Sequence, residues 1–265
     1  MAAAGDISAC DPPNCAAGRT ASRVLAMDPA VVLTLGDSQY DVGALAEYRA
    51  EYTDTWGRFL GRTRPAPGNH EYMTPGARGY YRYFGKRAHR QHGGYYSFGV
   101  RRWHVLALNS NDGRCSIVAC GPKSKQVQWL RHDLRASESR CQLAYFHHPP
   151  WASVSSGGNS KVRTMWRVLA RDGTDIVLNG HDHNYERFAP RGAEGKANTG
   201  GVRQFIVGTG GVPLNNLSAP YAGLSRRHLD GYHGVLRLAL GRTWYRYRFV
   251  SSGGRVLDEG GPIGC

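Results

Sequence analysis

No stretch of the 265-residue chain approaches the length of a membrane-spanning run, so nothing in it reads as crossing a bilayer. Lysine is scarce: five lysines stand beside 29 arginines, within a net charge of +14. One reading of that bias is a host with arginine-rich codon usage. The other is a field that draws in anionic substrates. Nucleic-acid readout needs Lys and Arg gathered on one face, or a reader motif. Here the arginines are scattered along the sequence, and no nucleic-acid reader motif is present. Internal repeats, low-complexity tracts and linkers are also missing, while 41% hydrophobic residues suffice for a core. The chain is therefore read as a single domain over 1–265. The opening Met1-Ala2-Ala3-Ala4-Gly5-Asp6 reads as the start of a mature chain carrying an added Met.

Six cysteines are present, and their even count with two close pairs suggests disulfides and an oxidising compartment. Proximity favours Cys10–Cys15, Cys115–Cys120 and Cys141–Cys265. The expectation is a secreted protein, extracellular or periplasmic. Zinc ligation is the weaker alternative, because the C-x₄-C pairs lack a matching partner pair.

Apolar runs at Ala2–Ala4, Val31–Leu35, Tyr95–Val100, Trp103–Asn109, Leu143–Phe146, Thr174–Asn179, Gln204–Val207, Val235–Leu240 and Trp244–Val250 predict strands. Helical spacing predicts helices over 21–27, 44–60, 123–136 and 162–169. The Pro/Gly-rich stretch 65–71 and the Gly/Tyr/Arg-rich stretch 76–94 read as loops. The fold class is α/β, with two sheets packed face to face and helices outside.

Five polar clusters punctuate the strand ends: Asp6; Asp37 and Tyr40; Asn69 and His70; His147 and His148; His181 and His183. Each alone has an ordinary explanation, such as a turn or a helix cap for Gly5-Asp6. Together they supply carboxylates, a carboxamide oxygen and imidazoles, which suit hard or borderline cations such as Fe, Mn and Zn. Two Asp, one Asn and three or four His are enough ligands for two ions, provided one Asp bridges them.

The ordered motifs G-D (5–6), G-D-x-x-Y (36–40), G-N-H-E (68–71), H-x-P (147–149) and G-H-x-H (180–183) resemble the calcineurin-like metallophosphoesterases. The Tyr three residues after the second Asp makes the chain similar to purple acid phosphatases and their bacterial secreted relatives. The resemblance runs from residue 5 to about 190, and implies a four-layer sandwich of two mixed sheets with outer helices. It implies that Asp6, Asp37, Tyr40 and His183 hold one ion, Fe(III). It likewise implies that Asn69, His147 and His181 hold a divalent Fe, Zn or Mn, with Asp37 and a hydroxide bridging the pair. The implied reaction is hydrolysis of phosphate monoesters, by attack of a metal-bound hydroxide, in a monomer that binds phosphate esters and inorganic phosphate. A phosphodiesterase or nucleotide hydrolase on the same core is the alternative, and an inactive phosphate-binding relative is a third reading.

The residues after H-x-P, 153–159, contain no histidine where relatives carry one or more. His70 is therefore the first choice for contacting the phosphate or protonating the leaving group, with His148 as the alternative. Glu186 and Arg187 read either as a buttress for the G-H-x-H loop or as a surface ion pair. Gly208–Gly211 reads as a turn.

Overall fold

The computed structural model describes residues 1–8, 16–153, 157–215 and 224–265. The cysteine pair Cys10–Cys15 lies outside them. The other two expected disulfides, Cys115–Cys120 and Cys141–Cys265, are present.

Thirteen strands form two mixed sheets among the described residues. β1 (Ala2–Ala4), β2 (Val32–Leu35) and β3 (Thr63–Ala66) run parallel at one side of the first. β11 (Gly234–Leu240), β12 (Trp244–Ser251) and β13 (Val256–Gly264) complete it as an antiparallel meander, in the order β13-β12-β11-β1-β2-β3. The second sheet has the order β10-β8-β9-β7-β6-β5-β4. Its members are β4 (Tyr96–Val100), β5 (Trp103–Ala107), β6 (Cys141–Tyr145), β7 (Ile176–Asn179), β8 (Tyr185–Phe188), β9 (Arg203–Val207) and β10 (Ser225–Leu229). Within it β5, β6, β7 and β9 are parallel.

The uninterrupted apolar run of β6 follows from burial on both faces. Leu143 and Tyr145 point into the core shared by the two sheets, with Leu33, Leu35 and Leu236. Ala144 and Phe146 face a second core under α5 (Lys125–Ala136) and α6 (Arg163–Arg171). The helical period seen in the sequence is the burial pattern of these helices: Val127, Leu130 and Leu134 on α5, and Met165, Trp166 and Leu169 on α6. Helix α1 (Ala16–Met27) packs against β11 on the other sheet.

Four expectations are corrected. The helix expected over 44–60 is broken into α2 (Leu45–Glu47), a wide π turn over Tyr48–Tyr52 and a 3-10 segment over Trp56–Arg62. Thr53 Oγ1 bonds the Tyr48 carbonyl, and Thr55 Oγ1 bonds the carbonyls of Glu51 and Tyr52. Threonine hydroxyls thus compete with the helical ladder, while Tyr48, Tyr52 and Trp56 keep the apolar face buried. The loop expected over 76–94 contains α4 (Arg78–Phe84), with Tyr80, Tyr81 and Phe84 buried. Ring contacts of Phe84 with Tyr48 and Tyr52 provide the packing that local composition hides. The stretch 65–71 ends β3 and opens α3 (Asn69–Met73). Strands β8, β10 and β13 were also missing from the expected set; β10 and β13 are edge strands with mostly half-exposed or exposed residues, while β8, next to β10, buries the polar Glu186 beside Tyr185 and Phe188.

Candidate metal centre

The parallel strands all deliver their following loops to the same end of the two sheets. β1 leads to Asp6, β2 to Asp37 and Tyr40, β3 to Asn69 and His70, β6 to His147 and His148, and β7 to His181 and His183. Asp6, Asp37 and His181 hold φ of 58°, 46° and 71°, a left-handed backbone that non-glycine residues adopt at a cost. Each follows a glycine that permits close approach. A Cβ on Gly36 would lie 2.5 Å from His147 Nδ1, and one on Gly180 would lie 2.5 Å from Asp6 Oδ2.

All seven residues expected as ligands converge. Tyr40 Oη lies 2.9 Å from Asp6 Oδ1, 3.2 Å from Asp37 Oδ2 and 3.3 Å from His183 Nε2. His183 Nε2 is 3.4 Å from Asp6 Oδ1. On the other side, His147 Nε2 lies 3.0 Å from Asp37 Oδ2, 3.1 Å from Asn69 Oδ1 and 3.3 Å from His181 Nδ1. Asp37 Oδ2 therefore belongs to both groups.

These separations can be tested against a cation. Ligands at about 2.1 Å from an ion lie about 3.0 Å apart in an octahedron and about 3.4 Å apart in a tetrahedron. The observed spacings, 2.9–3.4 Å, match that interval to within 0.1 Å. Backbone carbonyls also hold the right ring faces inward. His147 Nδ1 is bonded to Leu35 O at 2.9 Å, and His183 Nδ1 to Pro213 O at 2.9 Å. With Nδ1–H donating, each Nε2 keeps a lone pair for an ion. Asp6 and Asp37 are fully buried, and among the described residues no Lys or Arg pairs with either. Buried carboxylates need a compensating positive charge, so the residues present fit a metal pair.

Between the side chains themselves, protons supply that compensating charge. Burial works against the charge of His147, yet Asp37 outweighs it and raises its pKa to about 10. Burial likewise opposes ionisation of Asp37, but His147 holds it well below the usual carboxylate range. Burial, then Asp6 and Asp37, push the Tyr40 phenol far up, so its proton stays on and is donated to Asp6. Burial and His147 push His181 down to about 4. Asp182, between the two histidines, is raised to about 7 by burial, then by Asp6 and Glu186.

His70 and His148 lie on opposite flanks. His70 packs tilted against the Tyr40 ring with centres 4.0 Å apart, engages the Asp41 carbonyl through Nδ1, and holds Nε2 4.0 Å from Asp37 Oδ2. Its side chain is 23% exposed. His148 is buried, with its ring 4.3 Å from that of His181. Ser110 Oγ accepts the His148 backbone N–H and lies 2.9 Å from its Nδ1. One ring nitrogen of His148 comes within 4.8 Å of ligand atoms of His147 and His181.

Glu71 has a role here that its place in the G-N-H-E motif does not reveal. It is fully buried and accepts from Asp37 N at 2.9 Å, Ser38 N at 2.7 Å, Gly68 N at 2.6 Å and Tyr48 Oη at 2.8 Å. One carboxylate thus ties the loop carrying Asp37 to the loop carrying Asn69. The available signal was its place as the acid three residues after Gly68, the helix-capping spacing. Glu186 is buried and bonds Ser153 through its backbone N and Oγ, tying β8 to the loop after His147-His148 rather than bracing its own loop. Arg187 forms a two-pronged pair with Asp258 of β13, at 2.7 and 3.1 Å. Gly208–Gly211 turns against the first motif, with Gly210 N bonded to Gly5 O.

A family model described as calcineurin-like phosphoesterase matches residues 6–185. Purple acid phosphatase 22 of Arabidopsis thaliana is 29% identical over 178 residues, covering 62% of this chain and 39% of that protein. Purple acid phosphatase 21 of the same plant is 30% identical over 216 residues, covering 73% of this chain and 46% of that protein. The chain thus spans less than half the length of these relatives. The solved structure of purple acid phosphatase PPD1 from yellow lupin seeds superposes with a TM-score of 0.76 at 17% identity, over 97% of this chain and 52% of that one.

Proposed function

Because this chain belongs to the calcineurin-like phosphoesterase family, we propose that it is a secreted, single-domain phosphatase that hydrolyses phosphate monoesters at a two-metal centre. One observation carries the reading. A single carboxylate oxygen, Asp37 Oδ2, lies 3.2 Å from Tyr40 Oη and 3.0 Å from His147 Nε2, so it serves both ligand groups at once. Asp6, Tyr40 and His183 would complete one site, and Asn69, His147 and His181 the other. A ferric ion in the first would displace the Tyr40 proton and be favoured by the phenolate, and the mixed N/O set suits a divalent Fe, Zn or Mn in the second. When bound, the ions supply charge that polarises the phosphoryl group and eases deprotonation of water.

The chain's own groups do the rest. The Leu35 and Pro213 carbonyls fix the ring orientation of His147 and His183. Glu71 keeps the Asp37 and Asn69 loops in register. His70, with Nδ1 engaged by Asp41, presents Nε2 to the cleft and is assigned the proton for the leaving oxygen. The partly exposed ring suits that role better than buried His148, which packs behind His181. The two disulfides suit an oxidising location.

The test is a rate comparison on metal-replete protein between an aryl phosphate monoester and its bis-aryl diester, with chelated protein as control. A faster, chelator-sensitive monoester rate is expected. A faster diester rate would move the protein to phosphodiesterases, and no metal-dependent hydrolysis of either would overturn the reading.

A further inference from the structure

Arginines scattered in the sequence are gathered by the fold at the end of the molecule opposite the metal centre. β1, β5 and β6 start there. Several ties stitch that end together. The Met1 amino group donates to Leu238 O at 2.8 Å, Trp103 Nε1 to Gly241 O at 2.9 Å, and Cys265 N to Thr243 O at 3.1 Å. The Cys141–Cys265 disulfide binds the start of β6 to the same place. The β4–β5 turn, carrying Arg101 and Arg102, is thereby set beside the β11–β12 turn, carrying Arg242, and the outward face of β11 and β12, carrying Arg237 and Arg246.

Three shallow depressions of about 180, 410 and 330 Å³ run across this end. The first two share Arg237 and the last two share Arg101, so they adjoin along one shallow groove; Asp28, paired with Arg62, and Glu138 are the carboxylates beside these arginines. All five of these arginines are exposed, and among the described residues none of them pairs with a carboxylate. In register, Arg237 faces Arg248 directly across the strands, an arrangement that weakens a sheet. Glu259 balances Arg248 alone. Trp244 lines the groove, 38% exposed, with the Arg246 guanidinium 5.6 Å from its ring centre.

We propose that this groove binds single-stranded nucleic acid without sequence preference, its phosphates on the five arginines and a base stacked on Trp244. Charge complementarity selects a polyanion, and a basic track with an aromatic platform is what a single strand uses. A bilayer is flat, whereas these groups line a groove to which Trp244 adds the one large, exposed apolar ring. The run from Arg140 to His147 along β6 spans about 20 Å, so a strand bound here lies outside the hydrolytic cleft. The surface is independent of the phosphatase reading, and either can fail without the other.

The experiment is fluorescence anisotropy of a labelled oligothymidylate of about 15 nucleotides on metal-replete protein, with strand integrity checked on a gel. Binding should weaken with salt, log K falling with log[salt] at a slope of about −3.5 for five phosphate contacts. Arg237→Ala, Arg242→Ala and Arg246→Ala combined should reduce the slope to about −1.4 and leave aryl phosphate hydrolysis unchanged. Trp244→Ala should weaken binding about 5- to 150-fold without changing the slope, and Trp244→Phe should restore most of it. No binding at about 50 mM salt would overturn the proposal. So would a triple variant with native affinity and slope. Equal affinity for phosphatidylserine vesicles, insensitive to Trp244→Ala, would assign the groove to a membrane surface instead.

Discussion

Replacing Glu71 separates the support of the metal centre from its ligands. Glu71→Ala leaves three backbone N–H groups and the Tyr48 hydroxyl without their acceptor in a fully buried site. Hydrogen bonds to a charged group contribute about 1.5–3 kcal/mol each. Their losses are not additive, because neighbours relax, and breaking one partner of a buried charged network costs about 3–5 kcal/mol. At about 2–4 °C per kcal/mol for a chain near this size, the melting temperature should fall by about 10 °C. Glu71→Gln keeps the shape and one carbonyl oxygen, but turns an amide against a backbone donor, so its cost should be about 1–2 kcal/mol. Both variants should bind metal about 10- to 100-fold more weakly, since the Asp37 and Asn69 loops lose their common tie. The assay is calorimetric melting of chelated protein beside metal titration of the same sample. A Glu71→Gln protein with native melting temperature and native metal affinity would refute the reasoning.

Three further outcomes follow from the same geometry. Chelation alone should lower the melting temperature of the wild-type protein by about 20 °C, because two ions, each at about 1,000 times its Kd, stabilise by about 8 kcal/mol together; an unchanged melt would argue against a bound metal. His70→Ala should slow hydrolysis most for poor leaving groups, in a Brønsted series of aryl phosphates; an equal loss across the series would leave His70 with phosphate binding only. Burial raises the Asp175 pKa to about 6, against the bond from Gln142 N. A raised carboxyl favours folding below its unfolded pKa of about 4 and loses that contribution as pH rises through about 6. Asp175→Asn should therefore gain melting temperature relative to wild type between pH 4 and 7, and a relative loss over that window would contradict the assignment.

The centre was more legible in the sequence than the scaffold that supports it. Its ligands sit in short motifs at strand ends, where glycine spacing and residue chemistry are local facts. Asp6, Asp37, Asn69, His147 and His181 could be brought together by order alone. Glu71 could not, because its meaning lies in four donors from three separate segments. The helix over 78–84 was hidden for a related reason: its Gly, Tyr and Arg composition looks like a loop, and Phe84 is packed by the rings of Tyr48 and Tyr52, which come from a separate segment. The broken helix at 45–62 has a sound apolar period and fails through threonine hydroxyls that a periodicity count does not weigh. The basic groove is spread over residues 101–246 in sequence and exists only once the C-terminal meander closes against β1.

The shared oxygen of Asp37 is the claim on which the account turns. Elemental analysis of metal per chain, on wild type and Asp37→Asn prepared alike, tests it most directly. Two ions per wild-type chain are expected, with loss of both ions and of aryl phosphate hydrolysis in Asp37→Asn. One ion per wild-type chain, or full metal content with normal turnover in Asp37→Asn, would contradict it.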